Sequence, residues 1–261
     1  MGTAAVGTTA AGVVRGLAFL LGLVMGSFFN VVAYRLPLGR SVVHPPSSCP
    51  SCGTRLGPRE LVPVLSYLLQ AGRCRHCRAR ISPLYPGVEL ATGALFALVV
   101  TWYGLTARSL YALLLVSLLV ITLRTDLERQ VIPNTLVLSG LAGWLPLWLL
   151  AQPLSLGEAL GGLVLGAGFF LLPALVFPQG IGGGDIKLAG VMGLYLGWRL
   201  TLVALLLAVF AGAAVAVGLL VTGRKRRTEA IPFGPFLVLG GLAALFWGEA
   251  LIHWYVGRMG F

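Results

Sequence analysis

The sequence predicts an all-α polytopic membrane protein with about eight transmembrane helices and a small polar insert between the first two. Of its 261 residues, 57% are hydrophobic and only 10% are charged, whereas soluble domains carry about 25% charged residues. The mean hydropathy is +0.92, so polar side chains are too few to coat a soluble globule. Apolar runs recur along the chain, and all four cysteines fall in one polar segment between the first two runs.

The apolar runs are the predicted transmembrane helices, since crossing about 30 Å of hydrocarbon takes about 20 residues. They cover residues 12–34, 87–106, 108–124, 131–151, 157–178, 185–198, 200–222 and 235–256. The sixth run is short, which is typical of a tilted or partly re-entrant helix. A short apolar core with a small-residue cleavage site does not open the chain, so we expect the first run to be retained rather than removed as a signal peptide.

The basic residues predict the orientation. Fifteen of the nineteen Lys and Arg residues fall in segments that the alternating runs place on one side. Such an excess marks the cytoplasmic side. Residues 1–34 are then a first transmembrane helix, residues 35–86 a cytoplasmic domain, and residues 87–261 a seven-helix transmembrane domain. The net charge of +11 is therefore expected to set topology and contact membrane lipid, with no role in nucleic-acid binding.

A cluster of four consecutive basic residues contributes to this bias between the last two runs. It consists of Arg224, Lys225, Arg226 and Arg227. We expect it to fix the topology and to touch anionic lipid.

Cysteine spacing in the insert predicts a metal site. Two C-x2-C turns are separated by 21 residues, and their members are Cys49, Cys52, Cys74 and Cys77. Each turn can present two thiolates to one zinc ion, and two turns complete a tetrahedron. The alternative is a pair of disulfides, which the reducing cytoplasm disfavours. Four thiolates leave no open coordination position, so the predicted zinc staples the insert, and His76 is expected to be a bystander.

The two aspartates are the candidate catalytic residues. Asp126 follows the third run and Asp185 begins the sixth, and the topology places both at cytoplasmic helix ends. Ionisable residues at membrane depth are functional candidates by default. Three glycines, Gly182, Gly183 and Gly184, precede Asp185 and permit close backbone approach. A helix N-terminus favours an anion there, and Lys187 adds to this effect.

Two neighbouring carboxylates tend to share one proton. Such a pair can activate a water and protonate a leaving amine, which is peptide hydrolysis without a covalent intermediate. The alternative is that Asp126 and Asp185 are helix caps. Glu128 is a rival for the role of Asp126, or else a solvated partner of Arg129.

An ordered set of motifs, spanning residues 22 to 190, resembles a known family. The motifs are Gly26-Ser-Phe-Phe-Asn-Val-Val-Ala-Tyr-Arg-Leu-Pro37, the four-cysteine insert with 61–66 between its halves, 81–90, Asp126 with Ile132-Pro-Asn134, and Gly182-Gly-Gly-Asp-Ile-Lys187. They resemble those of the type IV prepilin peptidases, which are bifunctional leader peptidases and N-methyltransferases of type IV pilus and type II secretion systems. Glu128 is a departure, because relatives often carry a second aspartate there.

The resemblance implies a GxGD-type aspartic endopeptidase of the bacterial inner membrane, with Asp126 and Asp185 as its catalytic residues. It would remove the leader of prepilins and pseudopilins after a glycine, at the cytoplasmic face. It would also N-methylate the new N-terminus with S-adenosylmethionine. Because the chain has no strand-associated G-x-G-x-x-G element, the binding site for this cofactor stays unassigned.

Two further polar residues lie within the motifs. Glu89 opens the second run and is expected to hold either a basic substrate leader or an arginine of the insert, unless it is only an interfacial helix start. Asn30 lies inside the first run and is expected to bond across helices or to be a packing residue.

Two other classes of function compete with the peptidase. A cation or proton-coupled transporter would use the aspartates as a relay, but transporters place such acids near the membrane midplane, whereas both acids here are predicted at one face. A membrane scaffold whose zinc domain binds a partner would need neither aspartate. The particular pilin and the oligomeric state are left open.

Overall fold

The computed structural model describes residues 2–176, 182–223 and 232–259. Within these ranges the chain forms helices, two short 3-10 turns and two isolated β-bridges, with no strand. The helices are α1 Gly2–Arg35, α2 Leu65–Leu69, α3 Leu84–Tyr103, α4 Ala107–Arg129, α5 Asn134–Ala151, α6 Leu156–Val176, α7 Gly183–Val221 and α8 Gly234–Met259. The predicted basic cluster at residues 224–227 lies outside the described ranges.

The all-α membrane prediction is confirmed. Seven of the described helices, all except α2, are long and apolar enough to cross a membrane. The longest, α7, has 39 residues and contains one non-helical residue, Gly197, with φ 73° and ψ 166°. This break divides α7 into two segments, residues 183–196 and 198–221, so the seven helices contain eight apolar segments.

Contacts along α8 show that the two segments of α7 run in opposite directions. In the first segment, Asp185 lies near Asp126, which contacts Gly234 at the start of α8, and Met192 packs beside Gly241 further along α8. In the second segment the order is reversed, because Leu200 lies against Gly248 while Gly212 lies against Phe236 near the start of α8. The chain therefore turns back at Gly197, which agrees with the predicted separate runs 185–198 and 200–222.

The break at Gly197 leaves carbonyl groups without their helical partners. The Tyr111 hydroxyl donates to the Tyr195 carbonyl oxygen over 3.1 Å, and Nε1 of Trp144 donates to the Leu194 carbonyl oxygen over 3.1 Å. Both donor side chains are buried. Side chains of α4 and α5 thus donate hydrogen bonds to the carbonyl groups that lack helical partners at this turn. Buried carbonyl groups generally need such partners.

The chain divides into two compact units, Met1–Ser109 and Leu110–Phe261. In the first unit α1 packs closely on α3, because a Cβ at Gly22 would lie 2.7 Å from the Cα of Gly93. Asn30 is buried and donates to the carbonyl oxygen of Tyr85 over 3.1 Å. The contact joins α1 to α3, which is the cross-helix bond expected of Asn30.

The end of α4 differs from the prediction. The apolar run stops at residue 124, yet the helix continues to Arg129. An ion pair between Arg124 and Glu128, with 2.8 Å between Nη1 and Oε2, spans one turn of this polar end and stabilises it as an i, i+4 pair. Asp126 therefore lies inside the last two turns of α4 rather than after the helix.

Candidate active site

The buried carboxylate of Asp126 comes from the end of α4. Asp126 is only 6% exposed. Among the described residues, its Oδ2 has no hydrogen-bond partner. A buried acceptor without a partner is rare and calls for an explanation. The described part of the fold therefore leaves this acceptor unused.

Asp185 comes from the first turn of α7. Gly182 is the N-cap with extended backbone, φ −68° and ψ 129°, and the Asp185 N–H donates to the Gly182 carbonyl oxygen over 3.0 Å. A Cβ at Gly182 would lie 3.3 Å from Oδ2 of Asp185, whereas Gly183 has open space around it. The missing Cβ at Gly182 therefore lets the backbone pass close to the Asp185 carboxylate.

The fold brings the two aspartates together. Their carboxylates lie near enough for the charge of Asp126 to act directly on Asp185, although 59 residues separate them in sequence. Since like charges disfavour double ionisation, two carboxyl groups this close can share one proton.

Two contacts join the segments that carry these aspartates. Nζ of Lys187 donates to Oδ1 of Asn134 over 2.8 Å. A Cβ at Gly184 would lie 2.9 Å from the Cβ of Ile132, so the absence of a side chain lets α7 approach the turn between α4 and α5. Lys187 and Gly184 are thus placed to hold the two carboxylates at a fixed separation.

Glu128 is engaged elsewhere. It accepts the hydrogen bond from Arg124, and the Arg124 side chain is only 2% exposed. The prediction offered Glu128 either the role of Asp126 or a partnership with Arg129. In the structure Glu128 forms an ion pair with Arg124, because residues four apart share a helix face.

The sequence did not point to Gly234, which the structure places at the site. This residue begins α8, and a Cβ there would lie 2.6 Å from Oδ2 of Asp126. The only available signal was the Pro232-Phe-Gly-Pro235 turn before the last apolar run.

The four-cysteine cluster in the first unit is built from two similar turns. In the first turn the Cys49 N–H donates to the Thr54 carbonyl oxygen over 2.9 Å, and in the second the Cys74 N–H donates to the Ala79 carbonyl oxygen over 2.8 Å. An isolated bridge closes each turn, between Ser48 and Arg55 and between Arg73 and Arg80. The two C-x2-C segments therefore have the same local fold.

These turns bring four sulfur atoms into one cluster. The Sγ atoms of Cys49, Cys52, Cys74 and Cys77 all lie within 4.8 Å of one another. Sγ of Cys49 and Sγ of Cys77 are 3.8 Å apart, which is the edge of a tetrahedron with metal–sulfur bonds of about 2.3 Å. A disulfide would need about 2.05 Å. The donor set fits one tetrahedral metal ion.

Glu60 links the two halves of the insert. Its carboxylate accepts the Gly57 N–H over 2.7 Å and lies 3.6 Å from Nη1 of Arg75. The Gly57 hydrogen bond, with a smaller effect from Arg75, lowers the pKa of Glu60 below its usual value. The carboxylate is thereby favoured in its charged form.

Glu89 binds the insert in a way that the sequence did not predict. The residue is 8% exposed in α3, and its Oε2 accepts the Val64 N–H over 2.7 Å. Val64 has φ 60°, an unusual value for a β-branched residue. The carboxylate therefore holds a strained backbone segment of the insert. The sequence had left a substrate leader, an arginine of the insert or a plain helix start open for this residue.

Together, fold and site define a polytopic helical membrane protein with two interacting aspartate carboxylates at helix ends. The bacterial peptidase A24 N-terminal domain matches residues 20–103, and the type IV leader peptidase family matches residues 112–217. The chain belongs to the type IV leader peptidase family, as the resemblance of its motifs implied.

Relatives cover nearly the whole chain. The prepilin leader peptidase/N-methyltransferase of Bacillus subtilis strain 168 is 38% identical, covering 91% of this chain and 96% of the relative. Those of Aeromonas hydrophila and Pseudomonas putida are 36% and 37% identical, covering 92% and 94% of this chain and 93% and 94% of the relatives. No solved structure matches the chain. These names favour the peptidase over the transporter.

Proposed function

We propose that this protein is a prepilin leader peptidase and N-methyltransferase in which Asp126 and Asp185 form the peptidase site. The observation that carries the proposal is the meeting of two carboxylates from separate helices. One of them is buried, and one of its oxygens has no hydrogen-bond partner within the described ranges. A structural carboxylate would be expected to find hydrogen-bond partners when buried.

The reaction follows from the sharing of one proton. The ionised carboxylate takes a proton from water, and the resulting hydroxide oxygen bonds to the scissile carbonyl carbon. The protonated carboxyl group then gives its proton to the amide nitrogen as the carbon–nitrogen bond breaks. The products are a leader with a new C-terminal carboxylate and a mature chain with a free N-terminal amine.

The supporting residues act on geometry. Lys187, through Asn134, and Gly184, against Ile132, fix the approach of the two aspartate segments. A small error in that approach matters, because a misplacement of about 1 Å can reduce a rate about a hundredfold.

The insert, residues 35–86, is proposed to be a cytoplasmic domain that binds one structural zinc ion. Four thiolates fill a tetrahedral zinc shell and leave no position for substrate. S-adenosylmethionine would supply the methyl group for the second activity. Glu89, with its hydrogen bond to the Val64 N–H, holds the insert against α3 within the first unit.

The location proposed is the bacterial inner membrane, with the aspartates and the insert facing the cytoplasm. Support comes from the bias of basic residues toward one side. Substrates would be type IV prepilins or pseudopilins, with the mature apolar segment in the bilayer.

The test uses purified protein in liposomes of bacterial lipid, mixed with a prepilin and read by intact mass. Without S-adenosylmethionine the substrate should lose only its leader. With it, the mature product should also gain the mass of one methyl group. An unchanged prepilin in both reactions, from protein that is folded and holds zinc, would contradict the proposal.

A further inference from the structure

The first turn of α8 forms a third wall of the aspartate site. Gly234 is buried, and its Cα faces the carboxylate of Asp126, since an added Cβ would lie 2.6 Å from Oδ2 and 2.8 Å from Cγ. Real Cβ atoms essentially never come so close to another atom. Only a hydrogen atom fits between the α8 backbone and this carboxylate.

The polar groups of this turn point away from Asp126. The N–H groups of Phe236 and Leu237 both donate to the Phe233 carbonyl oxygen, over 3.0 and 3.1 Å, and Pro235 has no N–H. The helix start therefore packs against Oδ2 without satisfying it, which agrees with the lack of any partner for this atom among the described residues. Free backbone N–H groups at a helix start would instead donate to a neighbouring carboxylate.

We propose that Gly234 is a positioning residue for the peptidase reaction. Its missing side chain lets the Asp126 carboxylate keep its place beside Asp185, with an Oδ2 atom that the described residues do not use as an acceptor. A methyl group at residue 234 would displace the end of a movable side chain rather than a backbone. The carboxylate shifts while the helices stay in place.

This inference rests on the proposed function, and α8 supplies a matched control. In Gly248→Ala the new Cβ would lie 2.6 Å from Cδ2 of Leu200. This is as close as the contact in Gly234→Ala and lies on the same helix, but the group contacted is an apolar side chain. Gly257→Ala is a second control, because nothing lies within 4 Å of that position. The three variants thus differ in what the methyl group meets.

The experiment measures prepilin cleavage by wild type, Gly234→Ala, Gly248→Ala and Gly257→Ala in liposomes. Gly234→Ala should lower kcat about a hundredfold, with KM nearly unchanged and an altered pH profile of kcat. Methylation of an already cleaved pilin should persist in all variants, because that step starts from a free amine. Cleavage by Gly234→Ala equal to that by Gly248→Ala would overturn the proposal.

A second measurement covers the case in which Gly234→Ala folds poorly. The thermal stability of Gly234→Ala is compared in the wild-type background and in Asp126→Ala, where the methyl group has no carboxylate to displace. The proposal expects the loss of stability to disappear in Asp126→Ala. An equal loss in both backgrounds, with methylation also lost, would assign Gly234 a purely structural role. If wild type does not cleave prepilin, the proposed function fails instead.

Discussion

The four-cysteine insert and the aspartate site bury reactive groups in opposite ways. The insert uses two local turns, and its four sulfur atoms lie within 4.8 Å of one another. The aspartate site takes its walls from α4, α7 and α8, and among the described residues one of its buried oxygens has no hydrogen-bond partner. The first arrangement is saturated by its own ligands, as a structural site should be. The second is left incomplete, as a site that must receive a substrate has to be.

The largest effect is expected from the aspartates. Asp126→Asn and Asp185→Asn should each reduce prepilin cleavage at least about a hundredfold, because general acid–base catalysis is lost. Zinc content, measured by elemental analysis, should stay at the wild-type level. Glu128→Gln is the matched control and should retain cleavage, since that carboxylate pairs with Arg124. If both aspartate variants cleaved prepilin at the wild-type rate, the aspartates would not be catalytic. The contrast between a structural cysteine cluster and a catalytic aspartate site would then fail.

The second test is directed at the insert. Cys74→Ser should lose the zinc ion and loosen residues 35–86, because a structural zinc site contributes folding free energy directly. Elemental analysis and limited proteolysis report the two effects. His76→Ala should keep the metal, since His76 is outside the sulfur cluster. Complete loss of metal with unchanged resistance to protease would show that the metal does not hold the insert together.

A smaller effect is expected at the contact that joins the aspartate segments. Lys187→Met removes the donor to Asn134, and a net loss of about 1 kcal/mol corresponds to about a fivefold lower rate of cleavage. Asn134→Leu should give the same loss, and the double variant should be no slower than either one, because both remove one interaction. Additive losses in this double-mutant cycle would show that the two residues act separately.

The smallest effect concerns Glu60 and pH. Its pKa is lowered in the folded protein, so the stabilisation is present above the unfolded value of about 4.3 and is lost as pH falls through the folded pKa. Protease resistance of the insert should therefore decline on acidification, and less steeply in Glu60→Gln. The comparison with Glu60→Gln separates this carboxylate from acid-induced release of zinc. Identical pH profiles would exclude a contribution from Glu60.

The sequence predicts the four-cysteine cluster better than it predicts the aspartate site. The cysteine spacing reports a local turn, so the metal cluster follows from residues that are neighbours in the chain. The pairing of Asp126 with Asp185 needed motif resemblance, and Gly234 was missed. It lies 108 residues beyond Asp126, and its contact with that carboxylate depends on helix packing that no local pattern encodes.

Helix ends show the same limit. Hydropathy predicted two separate runs around Gly197, because Arg199 interrupts the apolar sequence. The hydropathy pattern ended α4 too early. The polar residues after Leu123 remain helical, and an ion pair between Arg124 and Glu128 stabilises this part of the helix. Hydropathy reports where lipid stops, whereas backbone hydrogen bonds and side-chain pairs decide where the helix stops.

The turn at Gly197 has a consequence for how this helix fits the bilayer. The segment 183–196 rises about 21 Å at about 1.5 Å per residue, about 9 Å less than a hydrocarbon core of about 30 Å. Non-helical backbone at membrane depth is tolerated only when protein covers it, and Gly197 is buried. Residues 188–197 are all buried, so protein rather than lipid surrounds this short segment. The helix segment that carries Asp185 therefore does not have to match the thickness of the hydrocarbon, and its length is set by the helices packed around it.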